Sequence, residues 1–280
     1  MSLSEDAFLS PSVETLAAQA LSEFAPTEVA LVQRVNRFAV AVLRVPRDIK
    51  GRDSDLFAAT LLGRAIQDFE GSVILATRGL RAQSRSLARS TLETALYCVA
   101  ASRDQVLTQG AARKGKKGVP PTTSFVEAIE GGHQRHRGQM AAGLKQLAET
   151  PPELASSLQS LLAEIGTPGQ HQDVNLQGLA EDLGLSDLYT VVYRPLSQDA
   201  HPTATSLEHH VELTPERKIA GLRIGPDYEQ YGETLLLAVC ALLVALDGFL
   251  ERFGDTNERE ELKTLSAAYR HACEAGQEQP

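Results

Sequence analysis

Apolar residues recur at helical spacing along most of this chain, and that periodicity restricts it to packed helices. Val29, Val32, Val35, Phe38, Ala39 and Val42 form one stripe, and Phe57, Leu61, Ala65, Ile66, Phe69, Val73 and Ile74 a second. From Arg81 to Ser102 the pattern has two apolar sides, Leu92, Leu96 and Val99 on one and Leu87, Thr91 and Cys98 on another. A helix apolar on two sides belongs near the centre of its bundle. The run from Leu235 to Leu246, bounded by Thr234 and Asp247, is too short to cross a bilayer and suits a buried core helix.

Aromatic residues make up only 5% of the 280 residues, Trp is absent, and Ala and Leu dominate, which favours helix over sheet. The spacing predicts helices over 12–24, 26–45, 81–102, 122–148, 153–165 and 176–183, and one from Ser186 into the Tyr193 region. A further long helix reaches Gly79, with Ser54 or Asp55 as its cap. Pro202 disfavours helical backbone at His201, so a helix ends or kinks there. Pro226 reads as the opening of a long helix to about Phe253, and 257–275 as a terminal helix. Short runs at 209–213 and 221–224 suit a small β-hairpin. The expected fold is all-α: a single multi-helix bundle with a short β-hairpin near 209–224. Residues 1–53 read as an N-terminal helical arm and 54–280 as the main bundle, with a basic loop at 103–121.

A formal net charge of −9 argues against a surface devoted to nucleic acid or anionic membrane. The local exception is Arg113, Lys114, Lys116 and Lys117, a basic loop without the aromatic residues that stack on bases. Cys98, Cys240 and Cys273 form no CxxC pair, disulfide framework or zinc spacing. The acidic start, Met-Ser-Leu-Ser-Glu-Asp, lacks the basic and apolar segments of a secretion signal. These features predict a cytoplasmic protein without membrane association. The chain has no GxGxxG, Walker, GxSxG or HExxH motif, and neither a cofactor nor a metal is expected.

Two polar rows stand out against the apolar pattern. Arg78, Arg81, Arg85, Arg89 and Glu93 would share one stripe if the helix ran on through Gly79. Guanidinium groups can cradle phosphate in a fixed fork, and the same row can serve as an internal clamp between helices. Arg85, Arg89 and Glu93, with Tyr193, are the candidate ligand-binding residues. In the second row, Tyr193, Ser197 and His201 are four apart, and Arg194 and His201 lie about 20° from each other on a continuous helix. His201 as general base, Arg194 as transition-state clamp and Ser197 as orienting hydroxyl are the candidate catalytic residues. The alternative is a structural histidine satisfied at a helix C-terminus. His133 and His136 lack a third ligand at metal spacing and suit a solvated face. His209 and His210 would point to opposite faces of a strand.

The stretch Arg89-Ser90-Thr91-Leu92-Glu93 resembles the Arg-Ser-Leu-Leu-Glu signature of an uncharacterised all-helical bacterial family of unknown function. In that family a Tyr-x3-Ser-x3-His segment follows, here Tyr193, Ser197 and His201. A Gly-Pro opening to a long C-terminal helix comes next, here Gly225-Pro226. The resemblance spans about 55–253; it implies a helical fold and assigns no activity. A more distant resemblance is to HEPN ribonucleases, whose site is an Arg, four to six residues, then a His. Arg194 and His201 enclose six, with Pro195 where Asn, Asp or His is most common. That resemblance implies a homodimer that brings two Arg-His pairs together and cleaves RNA without metal.

Three functional expectations follow. The first is a soluble helical protein whose buried polar cluster forms a small-ligand or anion pocket. The alternative is a metal-independent HEPN-like RNase acting as a toxin or phage-defence effector, with RNA as partner. The third is a module presenting the basic loop to an acidic partner. The long apolar helix near the C-terminus suits a homodimer.

Overall fold

A computed structural model describes residues 7–47, 52–108, 123–132, 136, 143, 174–200, 207, 210–216, 218–222 and 224–277. The chain divides into two units, residues 1–103 with 187–280, and residues 104–186.

The first unit is an assembly of packed helices. Helix α1 (Ser12–Gln19) continues into a π-helical turn, Ala20–Phe24. Pro26 then opens α2 (Pro26–Arg44) at a position where its missing N–H costs nothing. Next come α3 (Asp53–Thr77) and α4 (Arg81–Ser102). The last long helices of the unit are Tyr231–Phe253 and Thr256–Gln277. As the two-sided pattern requires, α4 lies between α3 and the Tyr231–Phe253 helix, with Ala88, Leu92, Ala95, Leu96 and Cys98 fully buried. The expected cap of α3 differs. Ser54 and Asp55 lie inside its first turn, and Asp55 is turned to Arg252 Nη2, 2.5 Å away.

Small residues let these helices approach closely. Ser72 Oγ donates to Ser84 O at 2.9 Å and Ser84 Oγ to Ser72 O at 2.8 Å, so two buried hydroxyls across the α3–α4 seam satisfy each other. At Gly248 an added Cβ would stand 2.5 Å from Val99 Cγ2. Gly79, at φ +73°, ends α3 in the left-handed conformation that glycine adopts at little cost. Asp227 N donates to Gly79 O at 2.9 Å, and Pro226 fills the space where a Cβ on Gly79 would sit. Pro226 therefore does not open the long helix. It belongs to a turn braced on Gly79, and the helix begins at Tyr231, after Gln230 at φ +57°.

The helix Tyr231–Phe253 has the length and apolarity of a membrane-crossing segment, and most of its apolar window is buried inside the bundle. The expected hairpin forms from Val211–Leu213 and Ile219–Leu222, paired antiparallel.

In the second unit, β1 (Val106–Leu107) pairs antiparallel with β2 (Thr123–Ser124), and the hairpin strands of the first unit become β3 (Val211–Leu213) and β4 (Ile219–Leu222). Residues 125–132 are helical. Helix α5 (Leu176–Asp182) ends at Gly184, φ +72°. Its Asp182 carboxylate accepts from Thr108 N and Oγ1 at 2.9 and 2.8 Å. Most of the helices expected over 122–148 and 153–165, and the basic loop at 113–117, lie outside the described residues. The protein is all-α, a multi-helix bundle with short strand pairs.

The helical stretch that re-enters the first unit consists of α6 (Ser186–Leu188), a π-helical turn (Tyr189–Tyr193) and α7 (Arg194–Asp199). The two long C-terminal helices are α8 (Tyr231–Phe253) and α9 (Thr256–Gln277).

Candidate functional site

The arginines of α4 fall on one face because they are four residues apart. Arg78 does not join them. The left-handed turn at Gly79 redirects the chain, and Arg78 Nη2 bonds Glu14 at 2.7 and 3.0 Å. Arg81 and Arg85 meet acids from the C-terminal half, and Arg89 meets Tyr193 from that half and Glu93 of its own helix. Arg81 donates to Gln230 and lies 3.4 Å from both Asp227 and Glu229. Arg85 Nε donates to Asp199 Oδ2 at 2.6 Å, both side chains less than a tenth exposed, and Arg85 Nη1 is 3.5 Å from Glu233. Arg89 Nη2 donates to the Tyr193 hydroxyl at 2.7 Å, which reaches Glu93 Oε2 at 3.5 Å. Arg89 and Glu93 themselves are 3.6 Å apart.

The π-turn sets up a second feature. An i→i+5 turn widens the helix locally, and the Tyr189 and Tyr193 rings stack at 4.9 Å with an interplanar angle of 18°. The Arg89 guanidinium lies over the Tyr193 ring at 5.0 Å and that of Arg194 over Tyr189 at 5.6 Å. Two guanidinium groups thus lie against the stacked tyrosine pair, each attracted by the ring it approaches. Leu196, fully buried, pins α7 to the bundle. Burial, reinforced by the Glu93 carboxylate and opposed by Arg89, raises the Tyr193 pKa above its ordinary value. Its hydroxyl therefore stays protonated, accepting from Arg89 and donating toward Glu93.

Arg89, Glu93 and Tyr193, a hundred positions apart in sequence, meet in one cluster that is still partly open. The side chains of Arg89 and Glu93 are 26% and 34% exposed, enough for a solute to reach them. Arg85 sits one turn away, committed to Asp199. Arg194 is exposed and has no carboxylate partner among the described residues. Ser197 is half-buried on α7. His201, His133 and His209 lie outside the described residues. His136 is exposed. His210 lines an apolar cleft of about 390 Å³ with Arg81, Asp227, Leu222 and Ile224. Among the described residues no group of three or more His, Cys, Asp or Glu side chains could hold a metal ion. The sequence reading did not single out Tyr189, Asp199, Asp227 or Glu233. Tyr189, four residues before Tyr193, carried a spacing signal; the three acids carried none, since their pairing depends on tertiary structure.

A model for the family of unknown function DUF5677 matches residues 55–219. The chain belongs to this family. The matched region includes α3 from its third residue, α4 and the 189–199 segment, so the Arg89–Glu93–Tyr193 cluster lies wholly within it. No curated protein and no solved structure matches the chain.

Proposed function

We propose that this DUF5677 member binds a small ligand carrying one carboxylate or phosphate group beside Tyr193. In this reading Arg194 supplies the charge, Arg89 and Tyr193 donate hydrogen bonds to the anionic group, Glu93 accepts one from the rest of the ligand, and Arg85 braces α7 through Asp199. The observation that carries it is the Arg89–Tyr193–Glu93 contact, partly open to solvent, with an exposed guanidinium seated on the neighbouring Tyr189 ring. Each polar group in such a site is held by a neighbour, which keeps its geometry ready for a ligand.

The absence of Trp makes the test direct, because emission then comes from tyrosine. Titration with inorganic phosphate or acetate should change tyrosine fluorescence saturably. Arg194→Ala should remove the response and Tyr193→Phe weaken it. A response that is unsaturable, or unchanged in Arg194→Ala, refutes the proposal.

A second reading is metal-independent RNA cleavage with His201 as base, Arg194 as clamp and Ser197 as orienting hydroxyl. It is supported by the Arg194 guanidinium, which has no carboxylate partner among the described residues. Purified protein should then degrade RNA in the presence of a chelator, and His201→Ala should not. Intact RNA with the wild-type protein eliminates this reading.

A further inference from the structure

A second charged groove lies away from the Tyr193 cluster, between α8 and α9 beside the end of α4. It encloses about 430 Å³ and is lined by Arg103, Asp247, Glu251, Arg259, Lys263, Ser266 and Arg270, with Leu250 and Leu262 beneath. Four cations face two carboxylates there, a local excess of two positive charges on a chain of formal charge −9. The α9 contributions, Arg259, Lys263, Ser266 and Arg270, are spaced by four, three and four residues and so share one face.

The charges of this groove are unevenly neutralised. Arg103 is committed to Glu251 at 2.8 Å. Arg259 is held by neutral carbonyls instead, Nε donating to Leu250 O at 3.1 Å and Nη2 to Glu251 O at 3.0 Å. Lys263 reaches Glu260 at 2.7 Å, but both are more than three-fifths exposed, and such pairs hold weakly. Arg270 has no carboxylate partner among the described residues. From Arg259 to Arg270 the helix rises about 16 Å, a span suited to several negative charges in a row and not to a single one.

We infer that the α8–α9 groove binds a soluble anion bearing two or more phosphate groups, held by Arg259, Lys263 and Arg270 with Ser266 as a hydroxyl donor. Guanidinium groups fixed by neutral carbonyls keep their charge for a ligand and lose little freedom on binding it.

The test is calorimetric titration of the full chain with sodium tripolyphosphate, with inorganic phosphate in a parallel arm. Tripolyphosphate should bind saturably and more tightly than phosphate. Lys263→Glu with Arg270→Glu should weaken it by about tenfold or more, since two charge-assisted contacts are lost. Lys218→Glu, a charge reversal on the hairpin, should leave it unchanged, as should Tyr193→Phe, which separates this groove from the Tyr193 cluster. Both α9 positions are exposed, so melting curves of the double variant should match wild type. No binding by wild type overturns the inference. So does equal affinity in the α9 variant, an equal loss in Lys218→Glu, or capture by phosphatidylglycerol vesicles without tripolyphosphate binding.

Discussion

Replacing Asp199 with Asn tests whether the α4 arginines work as a clamp. The substitution keeps the shape and removes the charge facing Arg85 at 2.6 Å, in a pair whose side chains are 9% and 6% exposed. Removing one partner of a buried ion pair costs about 3–5 kcal/mol, because the survivor stays charged and poorly solvated. Glu233 lies 3.5 Å from Arg85 Nη1 but is 54% exposed, so it offsets part of that cost. The expected loss therefore falls to or somewhat below the low end, about 2–3 kcal/mol. At about 2–4 °C per kcal/mol for a chain of this size, the melting temperature should fall by about 4–12 °C. Arg85→Met combined with Asp199→Leu should lose much less than the sum of the single changes, since apolar isosteres remove the charge and its partner together. The assay is thermal unfolding of wild type, Asp199→Asn, Arg85→Met, Asp199→Leu and the double variant by far-ultraviolet circular dichroism. A change in Asp199→Asn within about 0.5 kcal/mol, as at an ordinary surface position, or strictly additive single and double losses, refutes the buried-pair account.

Gly248→Ala should destabilise by about 1–3 kcal/mol, because the new methyl meets Val99 Cα, which is backbone, at 2.8 Å. Gly71→Ala should be neutral or stabilising by up to about 1 kcal/mol, since its nearest neighbour is the flexible tip of Leu87 at 2.9 Å; parallel urea melts check both. Gly79→Ala should cost more than either, because it adds left-handed strain to a clash with Pro226, and limited proteolysis near the α3–α4 turn would report it. The Glu258 pKa is lowered, chiefly by its hydrogen bonds from Arg47. Its stabilising contribution is thus present above the unfolded Glu value of about 4.3 and is lost as pH falls through the lower folded value. Glu258→Gln should flatten the acid limb of the stability curve below about pH 4, and an unchanged limb would contradict the assignment.

The helices were legible because their signals are local and repeat. Leu92, Leu96 and Cys98 place α4 at the centre without any knowledge of its neighbours, and Gly79 announces the break. Other features were ambiguous for identifiable reasons. Pro226 fits a first helical position and a turn equally well, and only its packing on Gly79 decides between them. The π-turn at 189–193 inserts no distinctive residue, so an ordinary helix reads the same. The meeting of Arg89 with Tyr193 was foreseeable, since both rows carry polar groups on faces that must be buried and each needs a partner. The partners of Arg81 and Arg85 were not, because 146 and 114 residues separate them from Asp227 and Asp199, and many exposed acids were equally eligible.

The charge pattern along α4 sets its three arginines apart from Arg194 on α7. Arg81, Arg85 and Arg89 each face a carboxylate, from Asp227, Asp199 and Glu93 respectively. An incoming phosphate would have to displace those acids or sit beside them, and at Arg85 the contact to be displaced is a buried one of 2.6 Å. The row is therefore poorly suited to be the anion cradle that its spacing suggests. Among the described residues each of these arginines also leaves one buried nitrogen without a hydrogen bond, which carries a desolvation cost. An arrangement chosen for stability alone would favour apolar packing there. Its structural consequence is positional: Asp199 closes α7, five residues after Arg194, so Arg85 fixes the short helix that begins with the exposed Arg194 guanidinium. Weakening the clamp should thus disturb the proposed phosphate response of Arg194 before it disturbs the fold of α4 itself.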